Sequence, residues 1–270
     1  MNTRHCLLLG LCLGAAATLP AQTLFSDSLA TGTNWIVNPA NEGGGSLAFS
    51  SSRLNFLVGT PDVGGRDTGF RQLNAFAAPS TSSWSAQVDI HLNSLAGLTP
   101  GQFANLNLMV GKASDAFNNY AMFSLDRYND GTVVVLDIDA YVKIGGIETH
   151  LPEVLNSTTD ATLMISYNHL TSAMIYSYDA NGAVGGPNFV TAHTESIAGW
   201  SMTGADNFAF LLIGGSGLTS AGFGPVISDG NGYFQNFAVT AVPEPSTYAA
   251  ILGAGALGLV ILRRRRGGRN

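Results

Sequence analysis

The chain has 270 residues, of which 11% are charged, and a formal net charge of −6. Residues 22–241 alone carry six basic and seventeen acidic side chains, so nucleic acid and anionic lipid are excluded as favourable partners of this segment. Both cysteines, Cys6 and Cys12, lie near the N-terminus. The rest of the chain therefore has no disulfide, and a packed core must stabilise it.

The first 21 residues have the features of a secretory signal peptide. A weakly basic start is followed by an apolar segment over residues 6–17 and by small residues up to Ala21. Cleavage by signal peptidase is expected after Ala21, with Ala17 as the alternative. A lipoprotein site at Cys12 is disfavoured because the preceding leucine stands where a small residue is required.

The segment from residue 22 to residue 241 is long enough for one all-β domain, and its patterns are those of strands. The clearest pattern runs from Trp84 to Asn93, where apolar and polar residues alternate as in a strand with one buried and one wet face. No segment before residue 246 has sustained helical periodicity. The predicted strands are Leu24–Asp27, Ser46–Val58, Trp84–Asn93, Asn105–Val110, Tyr120–Arg127, Val134–Ile144, Ala161–Tyr167, Ala173–Tyr178, Asn207–Ile213 and Gly232–Thr240.

Turns rich in Gly, Asn and Asp separate these strands. The sequence Asn129-Asp130-Gly131 predicts a hairpin between the strands on either side of it. Residues 59–83 are rich in turn formers and predict mostly loop or short edge strands, and residues 214–217 predict a loop. Short strands joined in this way predict an antiparallel β-sandwich.

Several strands resemble those of concanavalin-like lectin and laminin-G-like jelly rolls. These are the opening Phe25-Ser26-Asp27 with a tryptophan soon after it, the pair at residues 163–167 and 174–179, and the closing residues 233–237. The resemblance implies a jelly roll over most of residues 24–240, in which the last strand pairs with the first. Such folds often bind carbohydrate, but a fold alone does not confer that function.

The sequence contains no catalytic constellation. The Glu-x-Asp-x-x-Glu signature of glycoside hydrolases with this fold is absent, and we interpret Asp137 and Asp139 as polar residues on the wet face of a strand. No Gly-x-Ser-x-Gly elbow is present, and the histidines are too scattered to predict a metal site. We therefore expect a protein that is not an enzyme. The alternative is an enzyme of lectin-like fold that acts on polysaccharide.

Candidates for ligand binding come from two kinds of side chain. Tyr141, on the polar face of a predicted strand, and Trp200, in a predicted loop, are candidates for stacking on sugar rings. Oxygen donors on turns suit calcium, the one cofactor considered, although such turns also form without a metal. The calcium candidates are Asp126, Asn129, Asp130 and Asp229.

The C-terminus combines a proline-containing stem, an apolar run and a basic end. Residues 248–262 carry no charge, and as a helix they would reach about 22 Å against a hydrocarbon core of about 30 Å, a marginal membrane span. The arginines that follow predict that this end stays in the cytoplasm while the preceding chain lies outside. They are Arg263, Arg264, Arg265 and Arg266.

This C-terminal segment resembles the PEP-CTERM sorting signal of Gram-negative bacteria. The motif consists of Val242, Pro243, Glu244, Pro245 and Ser246, and the apolar helix and the arginine cluster follow it in the family's order. The resemblance implies recognition and cleavage by the membrane enzyme exosortase, in hosts that typically make exopolysaccharide. An ordinary C-terminal anchor behind a proline stem is the alternative.

These features predict a signal peptide at residues 1–21, a β-sandwich at residues 22–241 and a sorting signal at residues 242–270. The expected function is that of an exported, non-catalytic component of the cell surface or exopolysaccharide matrix that binds extracellular polysaccharide. Besides the enzyme named above, a structural module that mediates only protein contacts is an alternative.

Overall fold

The computed structural model describes residues 21–37, 44–61, 66–93, 97–155, 158–182, 187–218 and 223–242. Residues 23–240 form one compact unit, in which two antiparallel sheets face each other as a sandwich. This confirms the predicted all-β, lectin-like jelly-roll fold. The signal peptide up to Pro20, the sorting motif from Pro243 onwards and the C-terminal hydrophobic helix lie outside the described residues.

Sheet A contains eight strands in the described parts of the chain. In spatial order they are β15 (Val190–Ser196), β14 (Ala173–Asp179), β13 (Asp160–Asn168), β7 (Trp84–Leu92), β17 (Gly232–Ala241), β4 (Arg53–Val58) and β3 (Gly45–Ser50), with β1 (Thr23–Asp27) paired to β17. Thr23 of β1 lies opposite Thr240 of β17. The first and last strands therefore pair, as the lectin resemblance implied.

Sheet B contains nine strands. In spatial order they are β11 (Ile147–His150), β10 (Val134–Ile144), β9 (Tyr120–Asn129), β8 (Gln102–Lys112), β16 (Asn207–Leu218), β5 (Arg66–Leu73) and β2 (Trp35–Ile36), with β12 (Val154–Leu155) paired to β10 and β6 (Ala78–Pro79) paired to β16. Within the described part of the chain, no helix has the length and hydrophobicity needed to cross a bilayer.

The core between the sheets is formed by the alternating faces of the strands. In β7 every second residue from Trp84 to Leu92 is buried and those between are partly exposed, as the period-two pattern predicts. Trp84 is fully buried, and its ring meets Phe208 and Phe210 edge-on at centroid distances of 5.0 and 5.3 Å. These aromatic contacts join the two sheets.

One predicted strand is a hairpin in the structure. The predicted strand over residues 46–58 divides into β3 and β4 around Ser51 and Ser52, whose φ angles are 53° and 59°. The buried apolar side chains stand at odd positions in β3, such as Leu47, and at even positions in β4, such as Leu54. A single strand with one buried face does not allow that change of parity, because its side chains alternate strictly.

Glycine misled the sequence analysis in two segments. Residues 66–73, expected to be mostly loop or short edge strand, form β5, a strand of eight residues paired on both sides, and residues 214–217, expected to be loop, form the end of β16. A Cβ atom on Gly69 would lie 2.6 Å from the backbone carbon of Ser46 in the facing sheet, and one on Gly214 would lie 2.3 Å from the ring of Phe56. Glycine is present here because the sheets approach closely, and not because the chain turns.

Candidate functional site

The outer face of sheet B carries rows of side chains that run across five strands. One row consists of Asp137, Asp126, Asn105, Gly215 and Thr68. The next row consists of Asp139, Ser124, Asn107, Ile213 and Phe70. Since directly opposed residues lie side by side on one face, the surface changes from carboxylates on β10, through amides on β8, to apolar residues on β16 and β5.

The carboxylate end of these rows is the acidic cluster, which we define as Asp126, Asp137 and Asp139. Each of the three offers one ligand atom, and these atoms all lie within 4.8 Å of one another. The residues are only 8%, 0% and 6% exposed. Three like charges so close together and so far from water are unfavourable unless protons or a cation neutralise them.

The cluster contains carboxylate oxygens that have no partner. Both oxygens of Asp137 and Oδ1 of Asp126 are buried without a hydrogen bond from any described residue. Burial, followed by the charge of Asp139, raises the pKa of Asp137 to about 7. Burial, followed by the proximity of Asp139 and Asp137, raises the pKa of Asp126 well above its ordinary value.

These residues fit a bound cation. Calcium prefers carboxylate oxygens, and unpartnered buried oxygens are the groups that a cation would satisfy. The ligand atoms of Asp139, His150 and Glu153 form a second set within 4.8 Å of one another, and His150 Nε2 lies 3.1 Å from Asp139 Oδ1. His150 and Glu153 could therefore supply further ligands to a cation held by Asp139.

Beside the acidic cluster runs the sheet-B groove, a depression of about 460 Å³ on the same outer face. Its floor is formed by β8 and β16. The floor residues are Asn105, Asn107, Met109, Leu211, Ile213 and Gly215. Four aromatic side chains line it as well, namely Phe70, Phe103, Phe117 and Tyr120. The groove thus combines amide groups with aromatic and apolar surface, as carbohydrate sites do.

Asn105 is the polar group of the floor that a ligand can reach. Its Oδ1 accepts a hydrogen bond of 3.2 Å from Asn107 Nδ2, whereas its own Nδ2 finds no partner among the described residues. Gly215 makes this arrangement possible, because a Cβ atom there would lie 2.3 Å from Asn105 Oδ1. Asn107 is 3% exposed, and its Nδ2 also donates to the carbonyl of Ile213, which fixes the pair of amides to the sheet.

Tyr141 lies on the outer face of sheet B, next to the acidic cluster. Its hydroxyl donates to Asp139 Oδ2 over 3.2 Å, and its ring stacks on His150 with centroids 4.6 Å apart. One face of the ring is therefore already covered. Tyr141 contacts the acidic cluster and does not line the groove, so only the other face of its ring remains a candidate for ligand contact.

Trp200 does not lie on the surface, contrary to its expected position in an exposed loop. It ends a 3₁₀ turn at Ala198–Trp200 and is 1% exposed, with its ring packed 6.1 Å from that of Phe208. Its neighbours Ala198 and Ser201 line a depression of about 400 Å³, but the indole does not. No sugar can stack on a ring that the core already covers, so we do not retain Trp200 as a glycan contact.

Of the calcium candidates, only Asp126 lies in the acidic cluster. Asn129 and Asp130 build the turn between β9 and β10, where Asp130 Oδ1 accepts hydrogen bonds from Thr132 and Val133. Asp229 lies 3.3 Å from Arg53 in an ion pair. Asp137 and Asp139, interpreted from sequence as ordinary wet-face residues, are the carboxylates that accompany Asp126.

Comparison with known proteins identifies the C-terminal segment and the fold. Residues 241–266 match the PEP-CTERM protein-sorting motif. No curated protein is similar enough in sequence to be matched to this chain.

Solved structures with the same fold include several carbohydrate-binding proteins. Lectin II from Ulex europaeus superposes with a TM-score of 0.52 at 11% identity, over 82% of this chain and 100% of the lectin. The carbohydrate recognition domain of Emp47p gives 0.50 at 9% identity, over 83% and 97%. A bifunctional GH43-CE protein of Bacteroides eggerthii gives 0.52 at 14% identity, over 82% of this chain but only 26% of that protein. At these identities the similarity shows a lectin-like fold alone.

Proposed function

We propose that this protein is exported and sorted to the cell surface, where it binds extracellular glycan in the sheet-B groove and calcium at the acidic cluster. The observation that most supports this proposal is the row in which Asp137 and Asp126 lie beside Asn105, because the acidic cluster there adjoins an amide of the groove. The carbohydrate-binding proteins that share the fold support this proposal.

Export and sorting follow from the two ends of the chain. Residues 1–21 are removed by signal peptidase, and exosortase recognises the motif from Val242 to Ser246. Residues 248–262 hold the protein in the inner membrane until then, with Arg263–Arg266 on the cytoplasmic side. The domain between them, over residues 22–241, reaches the outer surface or the exopolysaccharide matrix.

Within the site, each group has a separate role. Calcium, when bound, supplies the positive charge that offsets the three carboxylates. Asn105 Nδ2 donates to a sugar hydroxyl, and the aromatic side chains cover the apolar faces of sugar rings. Hydrolysis is not proposed, because Asp126, Asp137 and Asp139 are at most 8% exposed and their ligand atoms lie within 4.8 Å of one another, closer than the carboxylates that flank a glycosidic bond.

The test is a glycan array probed with the full chain in mild detergent, first with calcium and then with chelator. We expect saturable binding that weakens in chelator. Asn105→Ala should lower the affinity about fivefold, the loss of one hydrogen bond, while Gln87→Ala on the outer face of sheet A should not change it.

Three outcomes would contradict the proposal. Equal losses from Asn105→Ala and Gln87→Ala would show that the groove is not the binding surface. Release of reducing ends from a bound glycan would indicate an enzyme. Absence of binding by a folded protein that forms concentration-dependent oligomers would indicate a module for protein contacts.

A further inference from the structure

Two cationic side chains line the sheet-B groove, whereas no carboxylate does so among the described residues. The guanidinium carbon of Arg66 lies 5.5 Å from the ring centroid of Phe103. The Nζ atom of Lys143 lies 5.3 Å from the ring centroid of Tyr120. This charge stands out because residues 22–241 carry seventeen acidic side chains against six basic ones.

The cations of the groove also differ from Arg53 and Lys112 in having no carboxylate partner among the described residues. Within the described residues, neither Arg66 nor Lys143 forms a salt bridge, whereas Arg53 pairs with Asp229 and Lys112 lies 3.5 Å from Asp206. Arg127 is buried and donates to the carbonyl of Leu92. Arg66 is exposed and Lys143 is half-buried, and both line the groove without a salt bridge, so both are available for an anionic ligand.

The two cations lie near opposite ends of the groove. Arg66 is placed near Phe103, and Lys143 is placed opposite Tyr120, which pairs with Gly111 of β8. Eight residue steps along β8 separate Phe103 from Gly111, a distance of about 26 Å at about 3.3 Å per residue. Cations anchored at positions so far apart along the sheet suit a ligand of several sugar units better than a single sugar.

We infer that the glycan bound in the sheet-B groove is a linear polysaccharide bearing carboxylate groups, held by Arg66 at one end and Lys143 at the other. This rests on the proposed function. The amides and aromatic side chains between the cations contact the sugar rings, and the cations contact the carboxylates. Ligands shorter than the groove lose one of the two ionic contacts.

The negative groups near the groove make its occupancy depend on the acidic cluster. Asp126 lies opposite Asn105, and Glu148, which lies opposite Lys143, accepts a hydrogen bond from the hydroxyl of Tyr120. These charges lie within a Debye length of the groove, so an unneutralised cluster repels an anionic chain. Calcium at the cluster should therefore favour the carboxylated polymer more than a neutral one.

The experiment measures binding of the full chain to polygalacturonate, alginate and hyaluronate by titration calorimetry, each beside its carboxyl-reduced form. We expect at least one carboxylated polymer to bind about tenfold more tightly than its reduced form, and less tightly as salt rises. The monomeric uronic acid should not compete. The double variant Arg66→Gln with Lys143→Gln should lose about tenfold, and each single variant should lose part of this. Arg53→Gln, which removes one charge on the other sheet as each single variant does in the groove, should not change binding.

The outcomes distinguish this inference from the function on which it rests. Equal affinity for the polymers and their reduced forms overturns the inference and leaves glycan binding in the groove intact. Equal losses from the double variant and from Arg53→Gln overturn it too, since both then act through net charge. Failure of every polymer to bind overturns it, and the neutral glycans of the array then decide whether the groove binds glycan at all.

Discussion

Replacing Asp137 with asparagine should weaken the loss of stability that the metal-free protein shows as the pH rises. Burial and the charge of Asp139 raise the pKa of Asp137 to about 7. Between pH 4 and pH 7 the folded protein therefore holds a proton that the unfolded chain has released, so the free energy of unfolding decreases as the pH rises. Asparagine cannot ionise, so Asp137→Asn should remove the part of this decrease that comes from Asp137.

The size of the effect follows from the pKa. A rise from an ordinary aspartate value near 4 to about 7 corresponds to about 4 kcal/mol at about 1.4 kcal/mol per pKa unit, and we expect about 2 kcal/mol after solvent screening. Asp130, Asp160 and Asp206 have lowered pKa values because of their hydrogen bonds, so they change the stability only below about pH 4. Asp126, whose pKa is also raised, contributes its own decrease in both proteins, so the effect of Asp137 is measured as the difference between wild type and variant.

The assay is urea unfolding of wild type and Asp137→Asn at pH 4.5 and pH 8, in chelator and in calcium. In chelator the two should be equally stable at pH 4.5, and the variant should be about 2 kcal/mol more stable at pH 8. Calcium at 100 times its dissociation constant should add about 2.7 kcal/mol to wild type and less to the variant. Asp229→Asn, which alters a surface ion pair, is the control.

Two outcomes would contradict this account. Parallel pH dependence of wild type and Asp137→Asn in chelator would refute the reasoning about the pKa, and equal stabilisation of both by calcium would refute the cation site.

Three further substitutions test the packing that supports the site. Gly69→Ala should destabilise the protein by about 2 kcal/mol in urea unfolding, because its Cβ would overlap the backbone of Ser46. Gly59→Ala, with open space around it, is the control and should change the stability by under about 0.5 kcal/mol. Similar effects of the two substitutions would contradict the close approach of the sheets. Gly215→Ala should displace Asn105 and weaken glycan binding about fivefold in calorimetry, and unchanged affinity would argue against Asn105 as a contact. Trp200→Phe should lower the free energy of unfolding by about 1–3 kcal/mol without changing the glycan affinity. A loss of affinity without a loss of stability would indicate that Trp200 does contact the glycan.

The fold was predictable because its signals are local. The alternation along β7 can be recognised from neighbouring residues alone. The apolar residues change from odd positions, such as Leu47, to even positions, such as Leu54, and this change indicates the β3–β4 hairpin. Glycine was the source of error at Gly69 and Gly214. A glycine that prevents a clash with a distant strand looks in sequence like one that forms a turn, since the clash involves residues far away in the chain.

The acidic cluster could be predicted only in part because it depends on the length of one turn. Asn129-Asp130-Gly131 predicts a hairpin, but a two-residue turn at Asp130 and Gly131 would place Asp126 opposite Val135. The structure pairs Asn129 with Val134, which places Asp126 opposite Asp137. Both registers leave the carboxylates on one face, and only the second brings them together.

Trp200 and the groove show a different limit. An aromatic residue between a glycine and a serine suggests an exposed loop, yet Trp200 is buried because the 3₁₀ turn directs it into the core beside Phe208. Asn105 and Asn107 were identified only as the polar face of a strand. Their role depends on Gly215, a residue of a strand that sequence analysis assigned to a loop.

The most direct measurement of glycan binding on the outer face of sheet B follows the side-chain amide resonances of the protein by NMR while a binding glycan is titrated in the presence of calcium. The resonances of Asn105 and Asn107 should shift in a saturable way, and that of Asn236, on the outer face of sheet A, should stay fixed. Saturable binding that leaves Asn105 and Asn107 unmoved would contradict the assignment of the groove.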